Sequence, residues 1–160
     1  MVAPAGMMLS QDPGASLCTF PLGACLGVAI YDPIAKVGGV LHSLLPASSL
    51  DPARAASRPG MFLDTGLTAL LEGALQLKAT RESLQVYVAG AAQIMDDPDF
   101  FDIGKSNCDI FHSLLQQRGV KVHAQNVGGR TNRSMELILA TGEVRLRFSG
   151  QSEPTPLCKP

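Results

Sequence analysis

Side chains able to do covalent or proton-transfer chemistry near neutral pH are few in this sequence: four cysteines (Cys18, Cys25, Cys108, Cys158) and three histidines (His42, His112, His123). A thiol is a poor nucleophile until a base takes its proton, and a neighbouring imidazole can do this and stabilise the thiolate as an ion pair. Cys25 is the cysteine whose surroundings suit that chemistry. It lies in Leu22-Gly23-Ala24-Cys25-Leu26-Gly27, where Gly23 and Gly27 leave room for a substrate. Backbone N–H groups near Ala24 and Cys25 could serve an oxyanion.

Whether an imidazole reaches Cys25 depends on how two strands pair. Cys25–Tyr31 is a continuous apolar run of strand length, Asp32-Pro33 opens a turn, and Val37–Leu45 returns as a second strand stopped by Pro46. A two-residue turn at Pro33-Ile34 sets Cys25 directly opposite His42, and a four-residue loop leaves the two diagonal on the same face. A three-residue loop without a bulge puts them on opposite faces. Proline disfavours the primed two-residue turns, which need positive φ at their first central position, so the four-residue loop is expected. Spacing alone leaves two readings of Cys25 open: an activated nucleophile, or a small buried apolar residue, as free cysteines often are.

The remaining candidates form weaker constellations. Cys108 and His112, one helical turn apart, make half a zinc site with no second pair at suitable spacing. His123 alternates with Val122 and Ala124 as an ordinary strand residue, and Cys158 reads as an exposed thiol in a Pro-rich tail. Asp96, Asp97, Asp99 and Asp102 surround Pro98 without the ligand spacing of an EF-hand and read as a solvated loop. Between Arg118 and Phe148 six Lys/Arg face two Glu, which is either a docking surface for an acidic partner or a solvated face. No metal or organic cofactor is called for.

The elements that position these residues come from a chain of 160 residues with 46% apolar and 17% charged residues, enough to bury a core. A net charge of −1 and no Trp point away from nucleic acid. The uncharged run Pro13–Tyr31 holds two prolines and three glycines and has no Lys or Arg before it, so a buried strand–turn–strand is expected rather than a membrane span or signal peptide. Cysteines without a C-x-x-C pair fit reduced thiols in a cytoplasm.

Residues 1–15 and 150–160 read as irregular tails, Leu17–Phe20 as a short strand and residues 47–60 as an exposed loop. A helix capped by Asp64 or Thr65 runs to about Ala79, with Leu67, Leu70, Leu71, Ala74 and Leu75 on one stripe. Strand Leu84–Gly90, a helix from about Lys105 to Arg118 with Ile110, Phe111, Leu114 and Leu115 inward, strand Val120–Val127, and a hairpin of Met135–Leu139 with Val144–Phe148 follow. Hairpins with two inserted helices give an α+β fold, mainly an antiparallel β-sandwich with the helices packed outside, in one domain. No G-x-G-x-x-G or P-loop pattern stands at a strand–helix junction.

Leu22–Asp32, followed by Val37-Gly38-Gly39-Val40-Leu41-His42-Ser43-Leu44-Leu45-Pro46, resembles the chemoreceptor glutamine deamidase family, CheD. The resemblance continues through Asp64 and its Leu-rich helix, Ile103-Gly104-Lys105-Ser106-Asn107, and Val127-Gly128-Gly129-Arg130-Thr131-Asn132-Arg133, covering about residues 17–149. It implies that Cys25 is the nucleophile, His42 the base and Thr19 the residue that orients the histidine. The implied reaction is hydrolysis of glutamine side chains in methyl-accepting chemoreceptors to glutamate and ammonia, without a cofactor. The implied partners are the receptor's cytoplasmic domain and, in some members, a CheC-type phosphatase. A non-enzymatic regulatory partner of such a phosphatase and a thiol hydrolase of small substrates are the competing readings.

The implied fold is that of the deamidating cytotoxic necrotising factor toxins. The sequence departs from the family pattern at Ala24, usually Ser; at Ser106, commonly Arg; at Asn132, usually Gly; and at Ala89-Gly90-Ala91-Ala92, more usually Phe-Gly-Gly-Ala. Asn132 is expected to keep its turn, since Asn tolerates positive φ.

Overall fold

In a computed structural model of the chain, which describes residues 1–94 and 98–157, the strands form two sheets. The strands are β1 (Gly6–Ser10), β2 (Ser16–Cys18), β3 (Leu26–Asp32), β4 (Val37–Ser43), β5 (Gln85–Gly90), β6 (Val122–Val127), β7 (Arg133–Ile138), β8 (Glu143–Phe148) and β9 (Thr155–Pro156). The helices are α1 (Pro52–Ser57), α2 (Leu63–Gln76) and α3 (Pro98–Arg118). The first sheet has the order β1-β4-β3-β5-β6 and the second β2-β7-β8-β9. All pairings between these strands are antiparallel except β5 with β6, which α3 connects as a crossover.

Both faces of the first sheet are covered, so β3 and β4 are buried along their whole length. On one face Leu26, Val28, Ile30, Val37 and Leu41 pack against α2 and α3 through Leu67, Leu70, Phe111 and Leu115. On the other, Ala29, Tyr31, Val40 and Ala89 pack against Met135, Leu137, Val144 and Leu146 of the second sheet. This is the expected α+β sandwich with helices outside, and apolar burial on both faces of one hairpin explains why β3 and β4 read as continuous apolar runs.

Several local expectations are corrected. Residues 1–15 contain β1, which pairs along β4 and is turned into place by positive φ at Ala5. Its sequence, GMMLS, has neither clear alternation nor β-branched residues, so propensity could not reveal it. The segment 150–160 likewise supplies β9. Residues 47–60 hold α1, started by Pro52 and capped by Asp51, whose carboxylate accepts from the Arg54 N–H. Asp64 is not the N-cap: α2 begins at Leu63, and from inside the first turn the Asp64 carboxylate accepts from the Thr65 N–H and from the N–H and hydroxyl of Ser48, tying the loop after β4 to the helix.

Candidate active site

The loop between β3 and β4 has four residues. Asp32 pairs with Val37, and the Asp32 carboxylate accepts from the N–H groups of Ile34 and Ala35 while positive φ at Lys36 closes the turn. With that register Gly27 lies opposite His42, so Cys25 stands diagonal to it on the same, sandwich-facing side.

His42 occupies a strand with glycine on both flanks, Gly27 on β3 and Gly6 on β1. A Cβ at residue 27 would meet Leu22 at 2.7 Å and Thr19 Cγ2 at 3.5 Å, so the space Gly27 leaves is taken up by these two side chains. Thr19 is thereby brought against the strand position facing His42. It is buried and bonded to Met135 at both ends: its N–H donates to the Met135 carbonyl and its Oγ1 accepts from the Met135 N–H at 3.0 Å. His42 Nδ1 is buried with no hydrogen-bond partner among the described residues.

Cys25 sits one residue before β3, on a loop tied down from two sides. Ala91 N–H donates to the Cys25 carbonyl (2.8 Å) and Ala92 N–H to the Gly23 carbonyl (2.7 Å). Gly90 makes this approach feasible, because a Cβ there would lie 2.2 Å from the Cys25 carbonyl oxygen and its φ is +119°. From the other side Asn107 Nδ2 donates to the Ala24 carbonyl. Gly23 borders Ile94 and Asn132, which a Cβ would meet at 2.9 and 3.4 Å. Asn132 needs no positive φ, since in that turn Gly128 and Gly129 carry it.

Ala91 is held at φ +51°, an uncommon conformation for a residue with a Cβ. It stands where the family pattern more usually has Gly. Ala91→Gly is therefore expected to raise stability by about 0.5–1 kcal/mol, the left-handed strain relieved outweighing the added chain entropy. Urea unfolding midpoints measure this, and a lower midpoint for Ala91→Gly contradicts it.

Burial acts on both members of the pair in the direction of neutrality. It pushes the Cys25 thiol above its ordinary range, opposed in part by the residue's own N–H, and it holds the His42 imidazole down at about 4. The resting pair is therefore thiol and neutral imidazole, and a preformed ion pair is not favoured. The unfolded chain's imidazole takes up a proton as pH falls through 6.5, whereas the folded protein's does so only at about 4. Across that window the unfolded state binds more protons, and burying His42 costs up to roughly 3 kcal/mol at the acid end. Wild type is expected to lose stability more steeply than His42→Gln between pH 6.5 and 4, read as urea midpoints; equal slopes contradict it.

The other candidates stay apart from this site. His123 is exposed and tilts against Tyr87, and His112 meets Phe111 edge-on at the exposed side of α3. No group of His, Cys, Asp or Glu able to hold a metal occurs among the described residues. Asp96, Asp97 and Cys158 lie outside the described residues. Much of the basic excess is engaged locally. Arg133 is buried, donates to the carbonyls of Asn126, Gly128 and Thr131, and lies 5.4 Å from the Phe148 ring centroid. Arg145 pairs with Glu143, and Arg147 donates to the Ser152 carbonyl.

Gly90, Ala91 and Asn107 border the candidate site, and chemical reactivity could not single them out. The available signal was Asn107 one and two helical turns from the buried Phe111 and Leu115, a polar residue on the buried stripe of α3.

Fold and site together define an α+β sandwich protein that presents a thiol and an imidazole on one face of its central hairpin. The chain belongs to the CheD family. The family model for CheD chemotactic sensory transduction matches residues 44–148. A Syntrophus aciditrophicus protein named probable chemoreceptor glutamine deamidase CheD 1 is 42% identical, covering 89% of each chain. Probable chemoreceptor glutamine deamidases CheD of Solibacter usitatus and Pyrococcus horikoshii are 37% and 36% identical, covering 96% and 82% of this chain and 90% and 81% of theirs. A crystal structure of a Neisseria meningitidis DUF152 protein overlays 78% of this chain and 52% of its own at a TM-score of 0.40 and 14% identity. No helix among the described residues is long and apolar enough to cross a membrane.

Proposed function

We propose that this chain, as a single cytoplasmic domain, hydrolyses glutamine side chains of chemoreceptors to glutamate and ammonia. Its relatives' names support the substrate class, and the β3–β4 register, with Cys25 and His42 on one face beside Thr19, supports the chemistry. His42 takes the Cys25 proton as Sγ attacks the carboxamide carbon, and the oxyanion is held by backbone N–H groups of the Gly23-Ala24-Cys25 loop. As the C–N bond breaks, the imidazolium returns that proton to the departing nitrogen, giving ammonia and a γ-glutamyl thioester. Water, deprotonated by His42, then attacks the thioester, and glutamate leaves with the thiol restored. Thr19 Oγ1 accepts from Met135; its second lone pair is the acceptor we assign to the His42 Nδ1–H, a bond not made in the resting structure that would orient the imidazole.

A protein substrate suits the rim. Phe20, next to Thr19, is 44% exposed, and Ile94, packed by Gly23, is 43% exposed, so apolar surface flanks the nucleophile loop on two sides. The test is ammonia release from a receptor cytoplasmic fragment carrying glutamines, with free glutamine alongside, before and after iodoacetamide treatment. Release from the fragment alone, lost on alkylation of Cys25, is the expected result. Release from free glutamine at the same rate favours a small-substrate hydrolase, and no release from either favours a binding module that partners a CheC-type phosphatase.

A further inference from the structure

Asn107 on α3 is fully buried, and its Nδ2 donates to two carbonyls, Ala24 at 3.2 Å and Leu44 at 3.3 Å. Its Oδ1 is buried with no partner among the described residues. A buried amide that leaves its oxygen unpaired is costly, so what Asn107 contributes here is its donors, which satisfy two carbonyls at once. The two carbonyls belong to the two segments that carry the dyad: Ala24 precedes Cys25, and Leu44 follows His42 by two residues.

The Ala24–Cys25 peptide is trans, so its C=O and N–H point to opposite sides. Holding the carbonyl toward α3 turns the Cys25 N–H away from α3. That N–H makes no hydrogen bond to another described residue, and as the donor nearest the thiol along the chain it opposes the rise in pKa that burial imposes. A donor beside the nucleophilic sulfur is where the oxygen of an attacked carbonyl would need one.

We propose that Asn107 is a positioning residue that fixes the Ala24–Cys25 peptide so that the Cys25 N–H faces the developing oxyanion, and that it holds this loop in register with the His42 strand. The inference rests on the reading of Cys25 as nucleophile. It makes a distinction that a purely structural role does not. Acyl transfer to Cys25 passes through an oxyanion, whereas alkylation of the same sulfur by iodoacetamide does not.

The experiment compares wild type, Asn107→Ala and Asn107→Asp, each shown to be folded by circular dichroism. Acylation by p-nitrophenyl acetate and alkylation by iodoacetamide are both followed on the Cys25 peptide by mass spectrometry. Asn107→Ala is expected to slow acylation roughly 10–100-fold and leave alkylation within about threefold. Asn107→Asp keeps the side chain's size, yet an ionised carboxylate only accepts. It should match Asn107→Ala at alkaline pH and regain acylation, relative to wild type, as acidification gives it an O–H donor.

Acylation unchanged in Asn107→Asp, or acylation and alkylation falling by equal factors in both variants, overturns the proposal. So does a wild type whose Cys25 cannot be acylated, which overturns the nucleophile as well. The ester split without hydrolysis of receptor glutamine leaves the positioning role standing and removes the substrate reading. Receptor glutamine hydrolysed at full kcat by Asn107→Asp does the reverse.

Discussion

His42→Gln is expected to lower kcat for glutamine hydrolysis by roughly 10²–10⁴-fold, the usual contribution of a positioned general base. The residue lies on a strand buried along its length, flanked by Gly6 and Gly27, and an amide of similar reach fits there without charge. A glutamine neither takes the Cys25 proton nor returns it to the departing nitrogen, so both halves of the reaction suffer. The wild-type pH profile adds an independent check. Burial holds the imidazole at about 4, so the neutral base is present well below its ordinary range. Between pH 5 and 8 kcat/KM should be nearly flat on its acid side, falling only as pH drops through about 4. An acid limb at 6.5, or a variant within threefold of wild type, contradicts His42 as the buried neutral base.

Cys25→Ser is expected to have the larger effect, a loss of at least roughly 10³-fold in kcat with the fold retained. A hydroxyl is far harder to deprotonate than a thiol, and this site gives a nucleophile little help at rest. Burial pushes even the thiol's pKa up, with only its own N–H opposing. Proton transfer to His42 therefore has to accompany attack, and the poorer acid makes that step slower. The loop itself should be indifferent to the change, since its backbone is held by Ala91, Ala92 and Asn107 rather than by the sulfur. Thermal unfolding within a few degrees of wild type, together with lost turnover, separates chemistry from folding. A Ser variant with a tenth or more of the wild-type rate contradicts a thiolate nucleophile.

The part of this site that could be read from sequence was the part governed by local rules. Pro33 disfavours a primed two-residue turn, so a four-residue loop and the diagonal Cys25–His42 placement were the expectation from chain geometry, and the observed pairing of Gly27 with His42 is that register. The apolar stripe of α2 and the β7–β8 hairpin were legible for the same reason, their periodicity being set by burial on one face. Long-range packing was not legible. β1 exists because β4 offers it an edge, and nothing in GMMLS announces that. Asp64 had the look of a cap, but Ser48, sixteen residues earlier, competes for its carboxylate. Gly90 and Asn107 act on the Cys25 loop through backbone carbonyls, whose positions depend on tertiary structure.

The most direct test of the account is peptide mass spectrometry of a receptor cytoplasmic fragment after incubation with wild type and with Cys25→Ala, reading Gln→Glu conversion residue by residue. Wild type is expected to convert a limited set of glutamines and Cys25→Ala none above background. Equal conversion by both proteins, or none by a folded wild type with several receptors, contradicts it.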